Sequence, residues 1–292
     1  MTSKKDIFLL YFLLIIEILI LLNSKIVINS VIKSSKLFIF KIFPSLMPTM
    51  IIGLLLVKLN FHKIIPKFIK KTFGYLFNFD DVTTSIFITS MLCGSPSSAS
   101  FINEYLNNGK INEKTAENLL CCTHFINPLF VISAVGIDIF NSTKIGMIIL
   151  FLTHLSNFIK AFLLRKNFVS TKLKIENKKE KEKFMIVFKD VIKVCMMQLL
   201  VIFGIVILFN MLTILIKEVF NINYFFETII NIILEITGGI NKISYLNISF
   251  IFKIFLSYYS LSFGGICIQM QTLSMITNKK IKYLKYFIFR LF

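Results

Sequence analysis

Glu235 ends an apolar run and is followed, after one isoleucine, by Thr237-Gly238-Gly239. A carboxylate in such a run is costly in lipid and belongs in a cavity or beside a partner. There it can carry a coupling proton or, with nearby carbonyls, hold a cation. The first half of the chain has a counterpart without the acid. Residues 86–93 are apolar and break at Gly94-Ser95-Pro96-Ser97-Ser98. Gly94 permits positive φ, Pro96 sets the start of a second helical arm, and that arm's N-terminus offers N–H groups and partial positive charge; the serines add hydroxyl donors. The pattern reads as an anion cradle. Thirty residues on, Asn127-Pro128 interrupts another apolar run, with proline removing a hydrogen bond and asparagine supplying a donor and an acceptor beside freed backbone. His124, one turn earlier, is either a proton carrier or a structural histidine. Gly264-Gly265, with Ser260, Ser262 and Gln269 nearby, mirrors that break in the second half. The bland alternatives are close helix packing for the glycines and a simple kink for the proline.

The candidate substrate-binding residues are therefore Gly94, Ser95, Pro96, Ser97, Ser98, Asn127, Pro128, Thr237, Gly238, Gly239, Gly264, Gly265 and Gln269, with Glu235 and His124 as the coupling pair. What must position them is a membrane bundle. The chain has 292 residues, of which 56% are hydrophobic, and a mean hydropathy of +0.78. Its apolar blocks approach the roughly 20 residues that cross a bilayer core. Unwound peptide groups at that depth must be buried in protein or line a wet cavity, because lipid cannot satisfy them. Interruptions at corresponding places in two halves are the sequence mark of a transporter's midplane site.

Other chemistries are poorly served. The sequence holds no G-x-x-x-x-G-K-[ST], H-E-x-x-H or G-x-S-x-G pattern, so neither an enzyme nor a cofactor is expected. Three histidines spread along the chain make no metal site, and five cysteines without a C-x-x-C pair read as small core hydrophobes. The net charge of +18 falls mainly between apolar blocks. There it orients the chain in a bilayer rather than forming a nucleic-acid face.

Along the chain, residues 1–36 read as an N-terminal anchor helix and basic loop, 37–164 as a first transmembrane half, 165–183 as a basic cytoplasmic loop and 184–292 as a second half. Residues 37–57 form a span carrying Pro44 and Pro48. Residues 61–77 interleave lysines with Phe, Ile and Tyr and suit an amphipathic helix in the interface. Residues 82–106 have the length of a hairpin, Asn112 is a helix N-cap, and 145–164 is a clean span with His154 and Asn157. The central loop sets Arg165, Lys166, Lys172, Lys174, Lys178, Lys179, Lys181 and Lys183 against Glu176, Glu180 and Glu182. The expected fold is all-α: a polytopic helical membrane protein with two inverted repeats, each with a re-entrant hairpin and a broken transmembrane helix. The final apolar residues, 286–292, are too short to cross.

The ordered series Phe43-Pro44-Ser45-Leu46-Met47-Pro48, Gly94-Ser95-Pro96-Ser97-Ser98-Ala99, Asn127-Pro128-Leu129-Phe130, Glu235-Ile236-Thr237-Gly238-Gly239 and Ser262-Phe263-Gly264-Gly265 with Gln269 resembles the YlbJ family of sporulation integral membrane proteins. That family belongs to the nucleoside-recognition, or Gate, domain group and is similar to concentrative nucleoside transporters. The resemblance implies an integral membrane protein of the outer forespore membrane that moves dipicolinic acid, a planar dianion, from mother cell toward forespore. It leaves the coupling ion open. Related Gate folds often oligomerise, which makes a homo-oligomer an expectation. The family's first break reads Gly-x-Pro-x-Gly-Ala followed by a basic residue; here Ser98 replaces the second glycine and Ser100 the basic residue. A non-transporting sporulation scaffold, or a transporter of a nucleoside or other small polar solute, is the alternative.

Overall fold

The computed structural model describes residues 4–168, 183–278 and 280–291, and all regular structure among them is helical. The basic segment 165–183 is thus seen only at its ends; 169–182, like Lys279 in the tail, lie outside the described residues. In chain order the helices are α1 (Lys4–Leu22), α2 (Ser24–Lys58), α3 (Lys67–Phe77), α4 (Asp81–Cys93), α5 (Ser97–Asn107), α6 (Glu113–Cys122), a π-helical segment (Phe130–Ile137) and α7 (Thr143–Leu163). After the basic segment come α8 (Phe184–Phe220), α9 (Tyr224–Leu234), α10 (Ile236–Tyr245), α11 (Phe250–Phe263), α12 (Gly265–Ser274) and α13 (Tyr283–Leu291). The order of elements recurs: a long helix, a pair of short helices broken in the middle, then a second broken pair.

Among the described residues four stretches are long and apolar enough to cross a bilayer: α2, α7, α8 and the α11–α12 pair. The arms of the two hairpins are not. α4 and α5 have 13 and 11 residues, α9 and α10 have 11 and 10. At 1.5 Å per residue each reaches about 15–20 Å, against a hydrocarbon core of ~30 Å. Such an arm brings its tip to about the middle of a bilayer and must return, which is the re-entrant geometry the sequence suggests.

Polar caps set where the short helices begin. Asp80 Oδ1 accepts from Thr83 N at the start of α4, Asn112 Oδ1 from Thr115 N at α6, and Asn223 Oδ1 from Phe226 N at α9. Each satisfies an otherwise orphaned helix N–H. In α2, Pro44 and Pro48 are carried inside a continuous helix by a π-helical turn at Phe38–Ile42. The Ser45 and Thr49 hydroxyls donate to the Ile42 and Leu46 carbonyls at 2.9 Å.

The basic stretch 61–77 is a short turn (Phe61–Lys63) followed by α3, an amphipathic helix that packs one face on protein and leaves Phe68 and Tyr75 exposed. Phe73 and Phe77 join an aromatic cluster with Phe79, Phe87 and Phe158, and Lys70 pairs with Asp81 at 2.7 Å. The last helix, α13, does not cross, but it is no loose tail: Tyr286 and Arg290 are buried against the bundle. α1 forms as a helix with outward apolar side chains, touching the body through Leu19 and Ile20 near Val27, Met211 and Leu215. All five cysteines are free and buried.

Candidate functional site

The tips of both hairpins converge on one small cavity. Ser95 and Pro96 from the α4–α5 tip, Asn127 from the unwound stretch after α6, and Glu235, Ile236 and Thr237 from the α9–α10 tip all line it. Ser45 from α2 and Gln271 from α12 complete its polar wall, and side chains such as Leu46, Phe130 and Ile268 its apolar one. Its volume is about 60 Å³. Small-molecule pockets start at roughly 300 Å³, so the cavity in this arrangement is too small for an organic substrate.

At the first tip, α4 ends at Cys93 and α5 begins at Ser97. Gly94 has φ +80°, and a Cβ there would come 2.5 Å from Asn127 N. Only glycine allows this backbone contact. The Ser95–Pro96 peptide bond is cis. Ser95 N donates to Phe125 O at 2.5 Å, Ser98 N to Gly94 O at 3.1 Å and Ala99 N to Pro96 O at 3.0 Å. Of residues 94–98, Ser95 and Pro96 line the cavity, the Ser95 and Ser98 N–H groups are taken by carbonyls, and the buried Ser97 hydroxyl has no hydrogen-bond partner.

Asn127-Pro128 is not a kink in a running helix. Residues 123–127 are fully unwound, and a new helix starts at Pro128. Asn127 is its cap, with Oδ1 accepting from Leu129 N at 2.9 Å and Phe130 N at 3.2 Å. Pro128 then occupies the first helical position, where its missing N–H costs nothing. The Asn127 amide nitrogen donates to Ser45 O (3.1 Å), Thr49 Oγ1 (3.0 Å) and Cys93 O (3.2 Å). One side chain thus ties α2, the first hairpin and the restarting helix together, and its hydrogen-bonding capacity is used in doing so.

At the second tip the break falls at Glu235 alone, not at the glycines. Helix α9 ends at Leu234 and α10 begins at Ile236. Glu235 is 1% exposed. Its Oε1 accepts from Thr237 N at 3.0 Å and its Oε2 from Gly238 N at 2.8 Å. The carboxylate is an N-cap for its own second arm, placed where the helix dipole favours negative charge. Gly238 and Gly239 lie inside α10 and serve packing: a Cβ would meet Asn231 Oδ1 at 2.9 Å and Ile232 N at 2.9 Å.

The second broken helix reaches the cavity through Leu261, Ile268 and Gln271, while its glycine turn stands behind it. Gly264 (φ +80°) makes the turn, with room for a Cβ denied by His124 Nε2 at 2.7 Å. A Cβ on Gly265 would come 3.3 Å from the Leu234 carbonyl oxygen, and Gln269 is spent on Phe263 O (3.2 Å) and the Tyr283 hydroxyl (2.5 Å). Gly264, Gly265, Gln269 and His124 therefore do not line the cavity. His124 is joined to it by a buried chain of polar groups: Ser95 Oγ contacts Thr272 Oγ1 (3.2 Å), the Tyr286 hydroxyl donates to Thr272 Oγ1 (3.4 Å), and that hydroxyl lies 3.2 Å from His124 Nδ1. Ser45, Gln271, Thr272 and Tyr286 were not among the sequence candidates. Among the described residues no group of His, Cys, Asp and Glu is arranged to hold a metal ion.

The fold and its buried breaks define a class: a polytopic, all-helical integral membrane protein whose two hairpin tips and an unwound segment meet inside the bundle. Within that class the chain is similar to the sporulation integral membrane protein YlbJ of Bacillus subtilis (strain 168), with 21% identity over 287 aligned residues that cover 86% of this chain and 70% of that protein. No family model matches the chain, and no solved structure shows significant similarity to it.

Proposed function

We propose that this protein is a secondary transporter of a small organic anion in sporulating bacteria, with dipicolinate as its substrate and the outer forespore membrane as its site of action. The observation that carries the transport reading is the convergence of two hairpin tips on a single cavity. Similarity to a sporulation integral membrane protein supports the setting, and the family resemblance supports the substrate. The 60 Å³ cavity is too small for a planar ring, and one hairpin must move to admit it. In that opened state the apolar wall would flank the ring while polar groups meet its carboxylates.

Glu235 gives the reading a mechanism. Its carboxylate holds the Thr237 and Gly238 N–H groups, the groups a substrate carboxylate would seek at a helix N-terminus. Glu235 then acts as a tethered stand-in for the substrate. Protonation of Glu235 releases those donors and removes a like charge from the cavity, so proton uptake favours anion binding. Alternating access would proceed by movement of the hairpins about the cavity.

A second reading, a sporulation scaffold that retains the fold, is favoured by the saturated Asn127 amide and the small cavity. Uptake of labelled dipicolinate into vesicles carrying the purified protein separates the two. Saturable uptake that responds to a proton gradient supports transport; uptake no greater than in empty vesicles rejects it. Saturable uptake of a labelled nucleoside by vesicles that take up no dipicolinate would move the substrate to the nucleoside class.

A further inference from the structure

Behind His124 lies a group of buried cations that the transport reading does not use. Lys160, in the last turn of α7, is 4% exposed, and its ammonium has no hydrogen-bond partner. Arg290, near the end of α13, is 1% exposed. One of its terminal nitrogens donates to Cys121 O at 2.6 Å, and its guanidinium lies 5.4 Å from the centre of the Tyr286 ring, but its Nε has no partner. Both approach the end of α6 and the unwound stretch after it: Asn157, one turn before Lys160, donates to His124 O at 2.9 Å, and Arg290 donates to Cys121 O. Neither forms an ion pair with a carboxylate among the described residues. On α6, Glu117 accepts from Lys282 N at 2.8 Å, while Lys285 adds a further cation through its bond to Asn118 Oδ1.

Arg290 is partly accounted for, because a cation at the C-terminal end of α6 meets exposed carbonyls and a favourable dipole. Lys160 has no such explanation. Unused donors of this kind, enclosed without a counter-charge among the described residues, carry a desolvation penalty that nothing offsets. An anion between them would satisfy both sets of donors with charge-assisted hydrogen bonds.

We propose that Lys160 and Arg290 form a second, buried binding site for a carboxylate- or phosphate-type anion, enclosed by α6, α7 and α13. The site does not depend on the transport reading, since inorganic phosphate can report it without any transport. The test is thermal unfolding and equilibrium binding of the purified, delipidated full chain in a low-salt zwitterionic buffer. The probes are inorganic phosphate, dipicolinate and, after reconstitution, phosphatidylglycerol nanodiscs. Phosphate or dipicolinate should raise the wild-type melting temperature in a saturable way. Lys160→Met should melt higher than wild type without anion, lose the anion response, and bind phosphate weaker by about tenfold or more. Arg290→Lys, which keeps the charge, should retain part of the response even if Arg290→Met fails to fold. A wild type that ignores both soluble anions but retains phosphatidylglycerol through delipidation, with Lys160→Met losing it, assigns the anion to a lipid headgroup and upholds the site. Absence of any response to all three probes overturns it, as does a Lys160→Met response equal to wild type.

Discussion

The two hairpins solve one problem by opposite means. Both must leave backbone groups unwound inside an apolar bundle. The α4–α5 tip has no acid and borrows its partners: Ser95 N turns to Phe125 O, and Cys93 O is met by the Asn127 amide. The α9–α10 tip is self-contained, since Glu235 reaches over its own next turn to hold two N–H groups. The first tip is therefore locked to the rest of the protein by backbone contact. The second is fastened mainly by a titratable side chain, which makes it the better candidate for the part that opens.

Substitutions can break or sharpen this contrast. The largest effect is expected at Gly94→Ala, where a positive φ and a 2.5 Å approach to Asn127 N leave nowhere for a methyl group. A loss of about 3 kcal/mol or more, read as loss of folded protein in detergent melts, is expected. The matching change in the other hairpin, Gly238→Ala, meets a movable amide oxygen instead. Better helix propensity partly offsets that contact, so stability should stay within about 1 kcal/mol of wild type. Equal losses at the two glycines would erase the distinction between a locked tip and a free one.

Next comes Asn127→Ala, which removes a helix cap and leaves the Ser45 and Cys93 carbonyls without their amide donor. A cost of about 2–4 kcal/mol in thermal unfolding is expected. Glu235→Gln should cost only about 1 kcal/mol, because one cap acceptor survives, yet it should abolish the response of uptake to a proton gradient. Smallest is Ser95→Ala, which loses the hydroxyl contact with Thr272 and should shift stability by about 1 kcal/mol or less. A larger loss for Ser95→Ala than for Asn127→Ala would mean that the polar chain toward Tyr286, not the Asn127 clamp, holds the first tip.

The positions of the breaks could be read from sequence because each is a local event: a polar or glycine-containing stretch inside an apolar run, as at Gly94-Ser95-Pro96 and Asn127-Pro128. What those residues do was less legible. Asn127 looks like a ligand when its hydrogen-bond partners on α2 and the first hairpin are unseen. At the second tip, Gly238-Gly239 looked like the break, but the turn is made by Glu235, whose carboxylate substitutes for glycine by capping. Beyond a break the helical phase is unknown, and two residues turn a helix by about 200°. That is why Gln269 was chosen and Gln271 lines the cavity. Lys160 did carry a signal, a lysine near the end of an apolar span, and it went unread because the span looked clean. Arg290 and Tyr286 carried none: a short apolar tail shows nothing of its docking until α6 and α12 stand beside it.

The most direct test is proton-gradient-driven uptake of labelled dipicolinate into vesicles carrying wild type or Glu235→Gln. Wild type should accumulate the label saturably and faster with the gradient imposed, and the variant should insert normally but show no gradient response. Wild-type vesicles that take up no more label than empty ones, or a variant that keeps the full gradient response, would contradict a cavity gated by Glu235.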